Sequence, residues 1–349
     1  MPRTILAFGL AAAVLAPAVQ AQSVTGRAAD IRFGGRLHAQ YGASSVPSAD
    51  NDFFFRRVRL IADITVNEFL GARIQPDFAG GTAALQDAYV TLTFSDGFEL
   101  SAGQFKRAFD LFELASSTDL SIIERDGRVE GAGSCAGVGG VCSFSRLTEK
   151  LGFAGRDQGL RLGGGSGAVS WQASVTNGTG INTSDENDAK SYAGRLTVAA
   201  SDKVTLGGGL AVHDYVDPAD ENAFAAAWSA DVEYGGWRDA LHLQLAVVGG
   251  DNWKSLDPDG AEAPFSAVQG VASWYAPLTG GRLAGIEPLL RVSVADPDGD
   301  TADDGATVVT PGLMLYISGR NKIGVNLDVF SPETGDTEYS FKVQTFLYF

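Results

Sequence analysis

After Ala21 the chain has no apolar run near the roughly 20 residues a membrane-spanning helix needs, so a helical route across a bilayer is excluded. Cysteine is scarce: Cys135 and Cys142 are the only two in 349 residues, too few for a thiolate metal cluster. Histidine is almost as scarce, and His38, His213 and His242 lie far apart in sequence, outside any motif pairing a nucleophile with a histidine base. Hydrolase chemistry therefore has no anchor here. No enzyme activity, cofactor, metal or nucleic-acid partner is expected. Methionine appears only twice, and 45% hydrophobic residues at a mean hydropathy of +0.03 are spread thinly among 44 glycines. Dilution of this kind is what strict alternation produces.

Alternation is what the chain does have. Counting back from Phe349 in steps of two gives Phe349, Leu347, Thr345, Val343, Phe341 and Tyr339 on one face, with Tyr348, Phe346, Gln344, Lys342, Ser340 and Glu338 on the other. The first face suits lipid and the second water. At the other end, Arg3, the apolar stretch 5–17 and Val19-Gln20-Ala21 read as a secretory signal over residues 1–21, leaving 22–349 as a single domain. Sixteen strands are predicted, near 30–41, 54–66, 69–78, 85–94, 98–105, 158–163, 168–177, 190–199, 204–213, 223–234, 240–249, 265–276, 286–295, 305–317, 322–330 and 338–349. Their connectors alternate between mostly short turns and longer acidic loops, as the periplasmic and external ends of an outer-membrane barrel do. The expected fold is all-β, a transmembrane antiparallel barrel of about sixteen strands.

One connector is out of scale. About fifty residues, 106–157, join the fifth and sixth strands and hold a helix-like stretch at 110–125. By count this is the third external loop, and a loop of that length usually has a function. In porins, whose strand and connector pattern this chain resembles, the third external loop folds into the lumen and narrows it, and the same is expected here, the alternative being a surface flap. Cys135 and Cys142, seven apart in a glycine-rich segment of an exported chain, are expected to form a local disulfide.

Several short segments, in order, carry a family resemblance: Gly35-Arg-Leu-His-Ala-Gln-Tyr41, Phe55-Arg-Arg-Val-Arg-Leu60, Leu85-Gln-Asp-Ala-Tyr89, Ala102-Gly-Gln-Phe-Lys106, Phe109-Asp-Leu-Phe-Glu113, Ile122-Ile-Glu-Arg125, Thr176-Asn-Gly-Thr-Gly180, Ala193-Gly-Arg195 and Ile286-Glu-Pro-Leu-Leu-Arg291. No single segment is diagnostic, but together they span most of the chain and resemble the phosphate-selective porin O and P family. The resemblance implies a sixteen-stranded, homotrimeric outer-membrane channel of a Gram-negative bacterium, where anionic solutes such as phosphate meet arginines and lysines along the pore. Two features depart from the family pattern: Ala108 stands where a proline is usual, and the Cys135–Cys142 segment is an insertion. Both bear on the loop, and so on the filter.

Parity sorts the charges independently. On the first strand Arg32, Arg36, His38 and Gln40 oppose Ile31, Phe33, Leu37, Ala39 and Tyr41. On the second, Arg57, Arg59, Asp63 and Thr65 oppose Val58, Leu60, Ala62, Ile64 and Val66. Arginine facing lipid at mid-membrane would cost about 2–4 kcal/mol, so the arginine faces are assigned to the lumen. Arg73, Gln75 and Asp77, and later Glu287 and Arg291, fall inside by the same rule, whereas Arg56 falls on the lipid parity and is expected near the external rim. The expected pore-lining, anion-binding set is Arg36, Arg57, Arg59, Arg73, Lys106, Arg107, Arg125 and Arg291, with Glu113 as an acidic candidate at the constriction.

Net charge argues the other way, at −16 overall, with 15 Lys and Arg against 17 Asp and Glu over 25–180 but 10 against 25 over 181–349. Charges at a constriction set selectivity, and charges in loops more than about 8 Å away are largely screened. An anion-preferring diffusion channel is therefore expected. The alternatives are a weakly selective general porin, whose arginines are neutralised by Asp63, Asp77, Glu113 and Glu287, and a plugged structural or adhesive barrel.

Overall fold

The computed structural model describes residues 23–25, 29–133, 135–256 and 260–349. The proposed signal at 1–21 lies outside them. Eight strands form the first half: β1 (Asp30–Ser44), β2 (Asp52–Thr65), β3 (Leu70–Asp77), β4 (Ala84–Ser95), β5 (Phe98–Lys106), β6 (Arg156–Ser166), β7 (Val169–Thr176) and β8 (Ser191–Ala199). Eight more form the second: β9 (Val204–Val216), β10 (Asn222–Tyr234), β11 (His242–Leu256), β12 (Glu262–Ser273), β13 (Gly285–Asp296), β14 (Ala306–Ser318), β15 (Asn321–Pro332) and β16 (Glu338–Tyr348). Each pairs antiparallel with the next, and β16 returns to β1 with Phe346 opposite His38 and Gln344 opposite Gln40. The sheet closes without an edge, which is what hydrocarbon demands of a spanning sheet. A short segment, Ser23–Thr25, adds to the lower part of β1, and Ala276–Pro277 continues the β12 side of the sheet against β13.

The sixteen strands fall where alternation predicts them, and the alternation is physical. On β10, Phe224, Trp228 and Tyr234 project outward while Ala225, Ala227 and Ser229 are buried inside. On β16, Tyr339, Phe341 and Leu347 are exposed while Ser340, Lys342, Gln344 and Phe346 are buried. Aromatic rings mark the membrane borders. Phe69, Phe94, Phe98 and Trp171 form a chain of contacts with centroids 5.4, 5.5 and 6.4 Å apart beside the short turns, and Tyr41 and Phe53 lie 4.6 Å apart near the opposite end.

One outward assignment is corrected. The β1–β2 register slips between His38 and Ala39, so His38 faces Arg57 while Ala39 faces Phe55, and Arg56 is left over as a bulge. A bulge re-aims a side chain that strict parity would send outward. Arg56 turns into the lumen and forks onto Glu124, Nε to Oε1 at 2.6 Å and Nη2 to Oε2 at 2.9 Å.

The connector from β5 to β6 enters the barrel. It carries two short helices, α1 (Leu111–Leu114) and α2 (Phe144–Lys150). The helix-like stretch is helical only over that first turn. Past Ala115, Ser116 and Thr118 bond to each other and Ser116 Oγ accepts the Thr118 amide, local bonds that compete with helix continuation. The helix α2, which periodicity had not suggested, begins where Ser143 Oγ caps the Arg146 amide at 3.3 Å.

Phe109, Phe112, Phe144, Leu147, Leu151 and Phe153, each at most 1% exposed, pack on the inner faces of β8 to β14, against Ala193, Ala211, Ala225, Ala246, Ala267 and Val308. Fully burying one such large side chain is worth about 1.5–3 kcal/mol, which favours the seated loop over a surface flap. A second apolar cluster seats Leu120, Ile122 and Ile123 on Leu289, Met314, Tyr316 and Phe346. Cys135 and Cys142 are joined in a disulfide, with Cα atoms 4.9 Å apart, at the edge of the larger cluster.

Candidate functional site

Because the loop covers the middle and outer part of the wall made by β8 to β16, the open lumen there is a passage between the loop and the wall made by β1 to β7, while toward the periplasm β8 to β11 also border it. Its narrow middle is a cavity of 340 Å³ lined by Arg36, Arg59, Arg73, Lys106, Arg125, Arg156 and Arg161, with Asp87 as the single lining carboxylate. Toward the outside it continues, through shared Arg59, Arg125 and Arg156, into a cavity of 440 Å³ reached by the loop residues Ala79, Gly80, Thr82 and Ile181. Toward the periplasm it continues, through shared Leu114, Ser116 and Gln172, into a wider one of 660 Å³ bordered by the turn residues Ser95, Asp96 and Gly97.

The basic residues differ in how far their charge is neutralised. Arg59 Nε donates to Asp77 Oδ2 at 2.6 Å and its Nη2 to Gln86 Oε1 at 3.1 Å. Arg73 forks onto Asp63 at 2.6 and 3.1 Å, and Arg156 Nε reaches Asp87 Oδ1 at 2.7 Å. The others bond to neutral groups. Arg36 Nη1 donates to Ser117 Oγ at 2.6 Å, Arg161 Nη2 reaches Ser101 Oγ at 3.3 Å, and the Arg161 guanidinium lies 5.2 Å from the Tyr89 ring and 5.0 Å from the Phe105 ring. Lys106 Nζ donates to the carbonyls of Glu113 and Ala115, and Arg125 to those of Phe112 and Ala115, so both hold the end of α1 while adding charge to the passage. Arg57 is buried, and its nearest side-chain partner is His38 Nδ1 at 3.5 Å.

Of the expected set, Arg36, Arg59, Arg73, Lys106 and Arg125 share the narrow cavity, and Arg57 and Glu113 line the external one. Glu113 stands 3.9 Å from Arg125. Two residues depart from expectation. Arg107 is buried under the loop, donating to the Gly152, Tyr192 and Val212 carbonyls. Arg291, fully enclosed, bonds Asp328 at 2.7 Å and the carbonyls of Glu124 and Arg125 at 3.1 and 2.8 Å. Both point inward, but at their positions the interior is filled by loop, so they fasten the loop instead of facing solute.

Sequence reasoning missed Arg156 and Arg161. For Arg161 the signal was present, since outward Leu160 and Leu162 flank it; Arg156 opens its strand, where the preceding loop sets its direction. Also missed were the other fasteners. Lys342 Nζ meets Asp328 Oδ2 at 2.6 Å and the Arg128 carbonyl, Lys322 Nζ takes the Leu120 carbonyl at 2.8 Å, and Asn326 Oδ1 accepts the Ile123 amide at 2.7 Å. In the loop, burial would raise the Glu124 carboxyl, but Arg56 outweighs it and holds the group down at about 2. Among the described residues no group of three or more His, Cys, Asp or Glu is placed to hold a metal ion.

A closed sixteen-stranded barrel with an inward loop beside three adjoining polar cavities has the architecture of an outer-membrane diffusion channel, a porin. The model of the family described as phosphate-selective porin O and P matches residues 31–250, and the chain belongs to that family. No curated protein matches the chain. Among solved structures it is similar to an anion-selective porin from Comamonas acidovorans, at 13% identity and a TM-score of 0.66 over 92% of this chain and all of that one. It is also similar to the outer membrane channel DcaP of Acinetobacter baumannii, at 12% identity and a TM-score of 0.64 over 93% and 99% of the two chains. A third likeness is the trimer form of OmpT of Vibrio cholerae, at 11% identity and 0.61 over 92% and 100%. The protein is an outer-membrane porin of a Gram-negative bacterium.

Proposed function

We propose that this porin prefers small anions, inorganic phosphate among them, and that the preference resides in Arg36, Arg57, Arg59, Arg73, Lys106 and Arg125 together with Arg156 and Arg161. The supporting observation is the narrow cavity, where Arg36, Lys106, Arg125 and Arg161 bond mainly to neutral groups and the lining holds one carboxylate against them. Guanidinium groups offer planar paired donors that replace part of an oxyanion's hydration shell. A row of shared donors, rather than one deep site, leaves binding weak enough for release. The acidic external loops act mainly through screened, longer-range fields. The assembly is a homotrimer, by analogy with the trimer form of OmpT, with outer-membrane lipid against the remaining outward apolar side chains.

A second reading, a weakly selective general porin, has its own support in the pairs Arg59–Asp77, Arg73–Asp63 and Arg156–Asp87. The reversal potential of the purified protein in a planar bilayer under a KCl gradient, with and without phosphate, separates the two. Anion preference gives a reversal potential of anion sign and a chloride current that phosphate reduces. A reversal potential near zero that phosphate does not disturb selects the general porin, and a folded but silent barrel selects a plugged, structural role.

A further inference from the structure

Fixed charge changes sign along the passage. The narrow cavity is basic, whereas the wider cavity on its periplasmic side is lined by Asp96, Glu99, Asp119, Asp231 and Glu233 with Arg195 as its one arginine. Some of this acid is neutralised. Arg195 forks onto Asp231 at 2.6 and 2.8 Å, and Arg320 holds Asp119 at 2.7 Å. Across the mouth, Arg32 stands in register with Asp63, which is already bonded to Arg73. Arg238, on the turn before β11, lies 4.6 Å from the Tyr275 ring and 5.4 Å from the Trp237 ring and donates to the Tyr275 hydroxyl. Asp96 and Glu99 have no cationic partner within 4.0 Å among the described residues, and Glu233 is held by His242 Nε2 at 2.7 Å and Gln244 at 2.9 Å. The periplasmic cavity thus keeps net negative charge directly in series with a constriction that keeps net positive charge through Arg36, Lys106 and Arg161.

We propose that the channel is a bipolar junction that passes ionic current unequally in its two directions. In the basic section the mobile ions are mostly anions, and in the acidic section mostly cations. When the periplasmic side is positive, anions drift inward from the constriction and cations outward from the vestibule, so both accumulate at the boundary and the pore conducts well. With the opposite sign both are drawn away and the boundary is depleted. Inward flow of anions is the favoured direction, and the device needs no moving part. It rests on the basic constriction of the proposed function.

The test is the single-channel current at equal and opposite voltages, in symmetrical KCl, with orientation fixed by an impermeant thiol reagent on a cysteine replacing Asp300 in the external loop. At 0.1 M, where the screening length is about 10 Å, the two currents are expected to differ by about twofold, and at 1 M, where it is about 3 Å, to become nearly equal. The double variant Asp96→Asn and Glu99→Gln, isosteric and at the periplasmic mouth, is expected to remove most of the asymmetry while the reversal potential under a gradient keeps its sign. A linear relation at 0.1 M overturns the junction, as does asymmetry that the double variant leaves unchanged. A reversal potential without anion sign overturns the proposed preference instead, and asymmetry removed by the double variant still supports the junction.

Discussion

The two halves of the barrel wall are built from the same alternating strands, yet their inner faces have opposite chemistry. On β1 to β7 the inward residues include Arg36, Arg59, Arg73 and Arg161, which border the passage. On β8 to β16 they include Ala193, Ala211, Ala225, Ala246, Ala267 and Val308, buried beneath the loop. The difference teaches that an inward position in a barrel of this size has two possible solvents. Where the interior is water, arginine is at ease; where it is another segment of the same chain, small apolar residues make room for phenylalanine and leucine. Among the charged groups on the covered side, Arg291, Lys342 and Asp328 are each enclosed and paired.

The comparison breaks most severely at Asp328. Its one carboxylate pairs with both Arg291 and Lys342 on the covered wall, and removing one partner of a buried ion pair costs about 3–5 kcal/mol. Asp328→Ala is expected to unseat the loop and raise single-channel conductance on correctly folded barrels, with a lower thermal transition. An unchanged conductance would show that the apolar contacts alone hold the loop. A milder way to break the same wall is Gly209→Val. A Cβ at Gly209 would run into the Phe109 carbonyl oxygen, so this variant is expected to displace α1 and increase conductance by less than the loss of Asp328 does.

On the open wall, Arg59→Glu is expected to move the reversal potential toward cations and to weaken the block of chloride current by phosphate, because it also frees the carboxylate of Asp77. Arg238→Gln, on the periplasmic side, should move it much less. If Arg59→Glu leaves the reversal potential where it was, the arginine row is structural and the general-porin reading takes over. The smallest effect is expected from the disulfide. Its ring is short, so the entropy it withdraws from the unfolded chain is worth only about 2–3 kcal/mol, and that acts on the loop. Reduction is expected to leave the thermal transition of the barrel nearly unmoved, and two free thiols in the unreduced protein would sink the assignment.

Strand number, order and the in-or-out direction of most side chains were legible because they rest on a period of two that lipid enforces at every step. Arg57 and Arg59 could be directed inward from Val58 and Leu60 alone. Arg56 could not, because its direction depends on a slip in the pairing of β1 with β2, a property of two strands together. Parity sent Arg291 inward, and the inward loop was expected to carry Arg107 to the pore, without either saying what these residues would meet there. The alanines at 225, 227, 246 and 267 were a sequence sign of a covered wall, legible once each is seen to share an inner face with the loop.

By itself, then, the sequence determined the closed antiparallel barrel, its connectors and the sidedness of its charges, since each follows from local alternation against two solvents. Only the tertiary structure decided which inward arginines border the passage, which are neutralised by Asp63, Asp77 and Asp87, and which fasten the loop. Those outcomes depend on distances between residues far apart in the chain, set by one long connector choosing a wall to pack against.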